Sequence, residues 1–182
     1  MSGVTMSRAE RLGHTAPSTA RVVGEVLVAS VVAGVAMGVL WWVLAPEVTG
    51  FVVDGELLAD LEQGQKLFGR DAVFALLGSA FGLVLGVVFT ARHRRRPVTS
   101  LLTLALAGVG GSLLAQFTGA MLGPDGDVSG LAEGTDHAFA LQMDTPQALI
   151  VWPLVATVMA AVIALFREDT TPWSASGPPA QL

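Results

Sequence analysis

Residues 90–100 read TARHRRRPVTS, and the fold turns on what lies either side of them. Four arginines (Arg92, Arg94, Arg95 and Arg96) and His93 stand between two long apolar runs. The whole 182-residue chain has the same character. Hydrophobic residues make up 52% of it without counting its 21 glycines, and only 14% is charged. Mean hydropathy is +0.63. A soluble domain carries about 25% charged residues, so this is the composition of a membrane protein. Cysteine is absent, which excludes disulfides and thiolate metal sites.

Four windows carry no charge: 26–45, 72–91, 98–122 and 147–166. A helix needs about 20 apolar residues to cross about 30 Å of hydrocarbon. An isolated strand would leave its backbone groups unsatisfied there. The expected fold is therefore all-α membrane: a four-transmembrane-helix bundle spanning 22–166, with helices at about 22–45, 72–91, 98–122 and 147–166. The first window is too long for the apolar region of a signal peptide, roughly 7–15 residues, and no small-x-small cleavage site follows it.

The arginine cluster then reads as a topology anchor. Placing Arg at a bilayer centre costs about 2.5–3.5 kcal/mol on insertion scales, and cytoplasmic loops collect Arg and Lys. With four spans, both termini and the arginine loop share one side. That side holds Arg8, Arg11, Arg21, the four cluster arginines and Arg167, leaving only Lys66 and Arg70 opposite. Eleven of the fifteen acidic residues lie in the outer loops, 46–71 and 123–146. Both termini are thus expected in the cytoplasm, as flexible tails at 1–21 and 167–182. Binding of anionic lipid headgroups is a further role open to the cluster. Nucleic-acid binding does not fit a short connection pinned at both ends.

The outer loops are too long to be simple turns. The first contains FVVDGELL, and Asp-Gly between apolar residues is the strongest short-range hairpin signal. The second contains HAFALQM, 137–143, whose alternation suggests a strand with one buried face. A small extracytoplasmic cap of β-hairpin character, built by both loops, follows. Asp125 and Asp127 in GPDGDVSG invite a calcium reading, but a calcium loop needs more oxygen ligands at defined spacing. The acidic cap is expected to be a solvated, partner-facing surface. No metal site is expected, because His14, His93 and His137 lie in three separate segments.

Small residues recur at four-residue spacing: Gly34 and Gly38; Gly78, Gly82 and Gly86; Gly111, Ala115, Gly119 and Gly123. Such stripes let helix backbones approach closely, and packing of that kind drives association in lipid. They serve packing within the bundle, or alternatively a dimer face or a gate. Inside the windows the notable polar side chains are Gln116, with Thr118 nearby, read as interhelical contacts or as a substrate contact. No intramembrane ionisable residue marks a proton path. Glu25 sits one turn from Arg21, where the two can pair. No nucleophile elbow or phosphate loop is present, so no catalytic residue, no cofactor and no enzyme activity are expected.

Trp41 and Trp42 close the first window where an aromatic belt belongs, with Trp152 somewhat deeper in the fourth. Asp71 and Asp144 stand at the outer starts of the second and fourth windows, where each can cap its helix. DAVFALL (71–77) and DTPQALI (144–150) share a D-x-x-x-A-L pattern, so the two halves form a weak repeat.

Taken together, WWVLAPEV, VVDGELL, LFGRDAVFALLGSAFGLVLG, the arginine loop and MDTPQALIVWPLVA resemble a family of small tetraspan actinobacterial membrane proteins defined by a domain of unknown function. The resemblance covers about residues 22–166. It implies a bacterial plasma-membrane location and four helices, and it brings no activity or catalytic residues. The expected role is a non-enzymatic accessory or scaffold subunit of a larger plasma-membrane assembly, with the lipid bilayer and a membrane-protein partner or second copy as its contacts. The alternative is a small transporter or channel component acting as an oligomer.

Overall fold

The computed structural model of the chain describes residues 18–94 and 96–166. Arg95, Arg167 and nearly all of the two tails lie outside the described residues. The elements run α1 (Thr19–Leu44), β1 (Thr49–Val53), β2 (Glu56–Leu58), α2 (Leu61–Arg92), α3 (Pro97–Leu122), β3 (Asp136–Ala138) and α4 (Val151–Leu165), the last entered through a 3-10 turn at Pro146–Ile150. Among the described residues four helical segments are long and apolar enough to cross a membrane.

Helices α1 and α3 run from the arginine end of the bundle to the sheet end, and α2 and α4 return. The most extensive contacts join helices of like direction, α1 with α3 and α2 with α4. Glycine makes both contacts possible. A Cβ on Gly34 would lie 2.7 Å from the Gly111 carbonyl oxygen, and one on Gly38 2.5 Å from that of Ala115. On the other pair, a Cβ on Gly82 would lie 2.6 Å from the Trp152 carbonyl oxygen, and one on Gly86 2.9 Å from that of Ala156. Gly78 is looser, with its nearest neighbour at 3.5 Å. Gly119 accepts the ring of Trp41, and Gly123 lies against Leu141. Met37, Trp41, Phe74, Ala115, Trp152 and Ala156 fill the centre.

Trp41 and Trp152 are therefore core residues and not part of a belt. Trp41 stands edge-on to Phe74 at a centroid distance of 5.1 Å. Only Trp42 of the first pair is exposed. Close packing is the reason: a flat ring fills the trough that facing glycines leave.

Helix α2 begins at Leu61, well before the expected 72. Asp60 caps it, its carboxylate accepting from the Gln63 N–H at 2.8 Å. At 32 residues and about 1.5 Å per residue it is about 48 Å long, longer than the hydrocarbon core. Hydropathy marks only the part of a helix that could sit in lipid; residues 61–71 carry charge, and the helix extends over them from its cap at Asp60 despite Gly64 and Gly69. The first outer loop thus shrinks to the hairpin and its flanks. Helix α1 starts at Thr19, capped by Ser18, so it claims the last residues of the expected tail. Helix α4 proper starts at Val151, after the 3-10 turn.

At the sheet end, Asp54 and Gly55 both take positive φ, 52° and 79°. That is the geometry of the tight hairpin turn which Asp-Gly favours. Strand β1 pairs with β2 in the register Phe51↔Leu58, and on its other edge antiparallel with β3, Gly50↔His137. The second outer loop contributes a strand only over Asp136–Ala138. Beyond it the alternation persists in burial, with Leu141 and Met143 buried, but the ladder ends after one more bond, from the Phe139 N–H to the Val48 carbonyl at 2.9 Å. The Leu141 N–H turns instead to the Pro124 carbonyl, at 3.3 Å.

Candidate functional site

Two polar constellations stand at opposite ends of the bundle. At the sheet end the central residue is Arg70, only 2% exposed. Its Nε donates to the Pro46 carbonyl at 3.1 Å and its Nη1 to the Ala140 carbonyl at 2.8 Å. Its own carbonyl accepts from the Trp41 indole N–H at 3.0 Å. One residue thus ties α1, α2 and both loops of the cap together. It also lines a cavity of about 290 Å³ shared with Trp42, Pro46, Glu47, Pro124 and Leu141.

Asp71, next in sequence, is buried inside α2 and caps nothing there. Its Oδ1 accepts from the Asp144 N–H at 3.3 Å and its Oδ2 from the Thr145 N–H at 2.7 Å. Thr145 precedes the 3-10 turn and makes no side-chain cap of its own. Asp71 therefore supplies, from a neighbouring helix, the acceptor that an entering helix lacks. Asp144 contributes its backbone N–H to that bond, and its carboxylate does not cap α4. Buried charges must find partners. The Arg70–Asp71 pair abutting the 72–91 window was the signal in the sequence that this site exists.

The acidic loop is closed on itself. Asp125 Oδ1 accepts from the Asp127 N–H at 3.2 Å, and Asp127 Oδ1 from the Ser129 N–H at 2.9 Å. Hydrogen bonds from the Ser129 side chain and then its backbone hold the Asp127 carboxyl below the ordinary carboxylate range. Among the described residues no group of three or more His, Cys, Asp or Glu is placed to hold a metal ion. Glu133 accepts from the Asp54 N–H at 3.1 Å, so the second loop also braces the hairpin tip.

At the arginine end Glu25 is the hub. Its Oε1 meets Arg21 Nε and its Oε2 meets Arg92 Nε, each at 3.0 Å. His93 Nε2 lies 3.5 Å from the same Oε2. The imidazole is buried and stacked on Phe89, with centroids 5.8 Å apart. Arg96 donates to the Thr19 hydroxyl at 2.6 Å, and Arg94 to the Ala91 carbonyl at 3.1 Å. Thr90, His93 and Ser100, whose side-chain polar atoms make no hydrogen bond among the described residues, border a cavity of about 180 Å³. Burial of these hydroxyls, and of Ser30, Thr103 and Ser112, was not visible in composition, since hydroxyls are ordinary in apolar helices.

Of the residues singled out as polar contacts, Thr118 meets another helix through its carbon and not through its hydroxyl. The Thr118 hydroxyl donates to the Leu114 carbonyl of its own helix at 2.8 Å, while its Cβ packs against Gly38. Gln116 is half-buried on the same helix.

The fold and these sites define a class: a bundle of four long apolar helices, closed at one end by a small sheet and at the other by an arginine-rich turn. No protein-family model matches the chain, and no curated protein or solved structure matches it either.

Proposed function

We propose that the chain is a non-enzymatic multi-pass protein of the plasma membrane, with the arginine end cytoplasmic and the sheet outside. Its role is that of an accessory or scaffold subunit that presents its cap to a partner. The observation that carries this reading is the clamping of the cap. Arg70 and Asp71 reach from α2 to the backbone of both outer loops, so the cap's surface is held ready before any partner arrives. A preformed surface binds without a further ordering cost.

The surface so held is both apolar and acidic. Phe51 and Leu58 are cross-strand partners and both exposed, and Leu61 is 92% exposed at the first turn of α2. Glu56, Asp60 and Glu62 lie among them in sequence and are exposed as well. Clustered acids steer a basic partner during encounter, and apolar side chains hold it. A photo-crosslinking residue at Leu61 tests the reading, with one at the exposed Leu106 of α3 as control. A single discrete adduct from position 61, matched by a stoichiometric complex in mild detergent, is expected. A lone homo-oligomer that passes solute in liposomes would replace this reading with the transport one.

A further inference from the structure

We infer that the cleft between α1 and α2 at the arginine end is a binding site for one acyl chain of an anionic phospholipid, whose phosphate is received by Arg21 and Arg92. This goes beyond the scaffold role; it rests on the membrane placement proposed above and on no partner.

The two helices are bridged there by the Glu25–Arg92 pair but are not closely packed along their length. Their mutual contacts are far fewer than those of α1 with α3 or α2 with α4. An open groove of about 690 Å³ results, walled by Val28, Ala29, Val88 and Phe89, with Glu25 and Arg92 at its mouth. The walls are apolar along their length and the mouth is charged. An acyl chain below and a phosphate above have the same order of polarity.

The charge at the mouth is arranged for an anion. Arg21 and Arg92 stand against a single carboxylate, Glu25. From the two arginines Glu25 takes only the Nε of each, and its third neighbour is the buried His93 Nε2, 3.5 Å from Oε2. Neither guanidinium donates a further hydrogen bond to protein among the described residues, so the Nη groups of both remain open. Their side chains are 68% and 60% exposed. Glu25 thus acts as a positioning residue, fixing two guanidiniums side by side on adjacent helices. Arginine receives phosphate through paired N–H donors, and basic pockets between spanning helices favour anionic headgroups.

The test uses the full chain in mild detergent, with phosphatidylglycerol and phosphatidylcholine of identical acyl chains as probes. Native mass spectrometry reads the lipid retained. Phosphatidylglycerol should be retained in preference, and glycerol phosphate, the headgroup without tails, should not displace it. Arg92→Gln should lower the preference about fivefold, the effect of one Arg contact near a membrane surface. Arg94→Gln removes the same charge away from the groove and should change it much less. Gly24→Trp should lower retention of both lipids, because an added Cβ at Gly24 meets nothing within 4 Å and the ring can enter the groove without unfolding the helix. Equal retention of the two lipids would overturn the proposal. So would equal losses in the Arg92 and Arg94 variants, which mark diffuse attraction, or displacement by glycerol phosphate, which marks a free-anion site. Should Arg92→Gln not fold, Arg21→Gln carries the same expectation on a highly exposed side chain.

Discussion

Alanine at Gly82 and alanine at Gly78 are the same chemical change on the same helix, one turn apart, and should give different results. At Gly82 the new Cβ would lie 2.6 Å from the Trp152 carbonyl oxygen and 3.3 Å from the Ala156 nitrogen, where ordinary contact begins at 3.4 Å. Both neighbours are backbone and cannot swing aside, so α2 and α4 must part. At Gly78 the nearest atom is the mobile Met37 methyl, at 3.5 Å. Each substitution gains about 0.5–1 kcal/mol from replacing glycine inside a helix. That gain cancels in the comparison and leaves the packing term, for which overpacked cores lose about 1–3 kcal/mol. At about 2–4 °C per kcal/mol for a chain of this size, Gly82→Ala should melt about 2–12 °C below Gly78→Ala. Thermal unfolding in mild detergent, followed by tryptophan fluorescence, reads the difference, since Trp152 lies at the contact. Equal Tm values would show that α2 and α4 are not in contact there and would refute the packing argument.

Two more perturbations address the cap and the orientation. Asp71→Ala removes the acceptor of two part-buried N–H groups, and loss of such a cap costs about 0.5–2 kcal/mol. Amide exchange at Asp144 and Thr145 should accelerate while that of α1 and α3 stays unchanged; unaltered exchange at Thr145 would remove Asp71 from its capping role. Single cysteines at Asp54, Asp136 and Arg94, all exposed, should label from outside intact cells at 54 and 136 only, and labelling at 94 alone would invert the proposed orientation.

The periodicity of charge and its absence were enough to define four helices and a turn rich in arginine, because the transfer cost of charge into hydrocarbon is a property of each residue by itself. The hairpin was equally local: Asp54-Gly55 carries its own backbone preference. Four-residue spacing of glycine marked smooth stripes, yet could not say what they touch, since partner choice depends on how two helices dock. Only the tertiary structure paired α1 with α3 and α2 with α4 and set Trp41 and Trp152 into the core. It alone extended α2 past the apolar window, because the window reports affinity for lipid while the helix obeys its cap at Asp60 and its own hydrogen bonds. It also turned Asp71 from an expected cap of its own helix into an acceptor for the turn before α4, and Arg70 from a stray outer charge into the tie between both loops. Those roles rest on residues some 70 positions apart in the chain. No local preference encodes such pairs; they exist only once the four helices have brought the loops together over one end of the bundle.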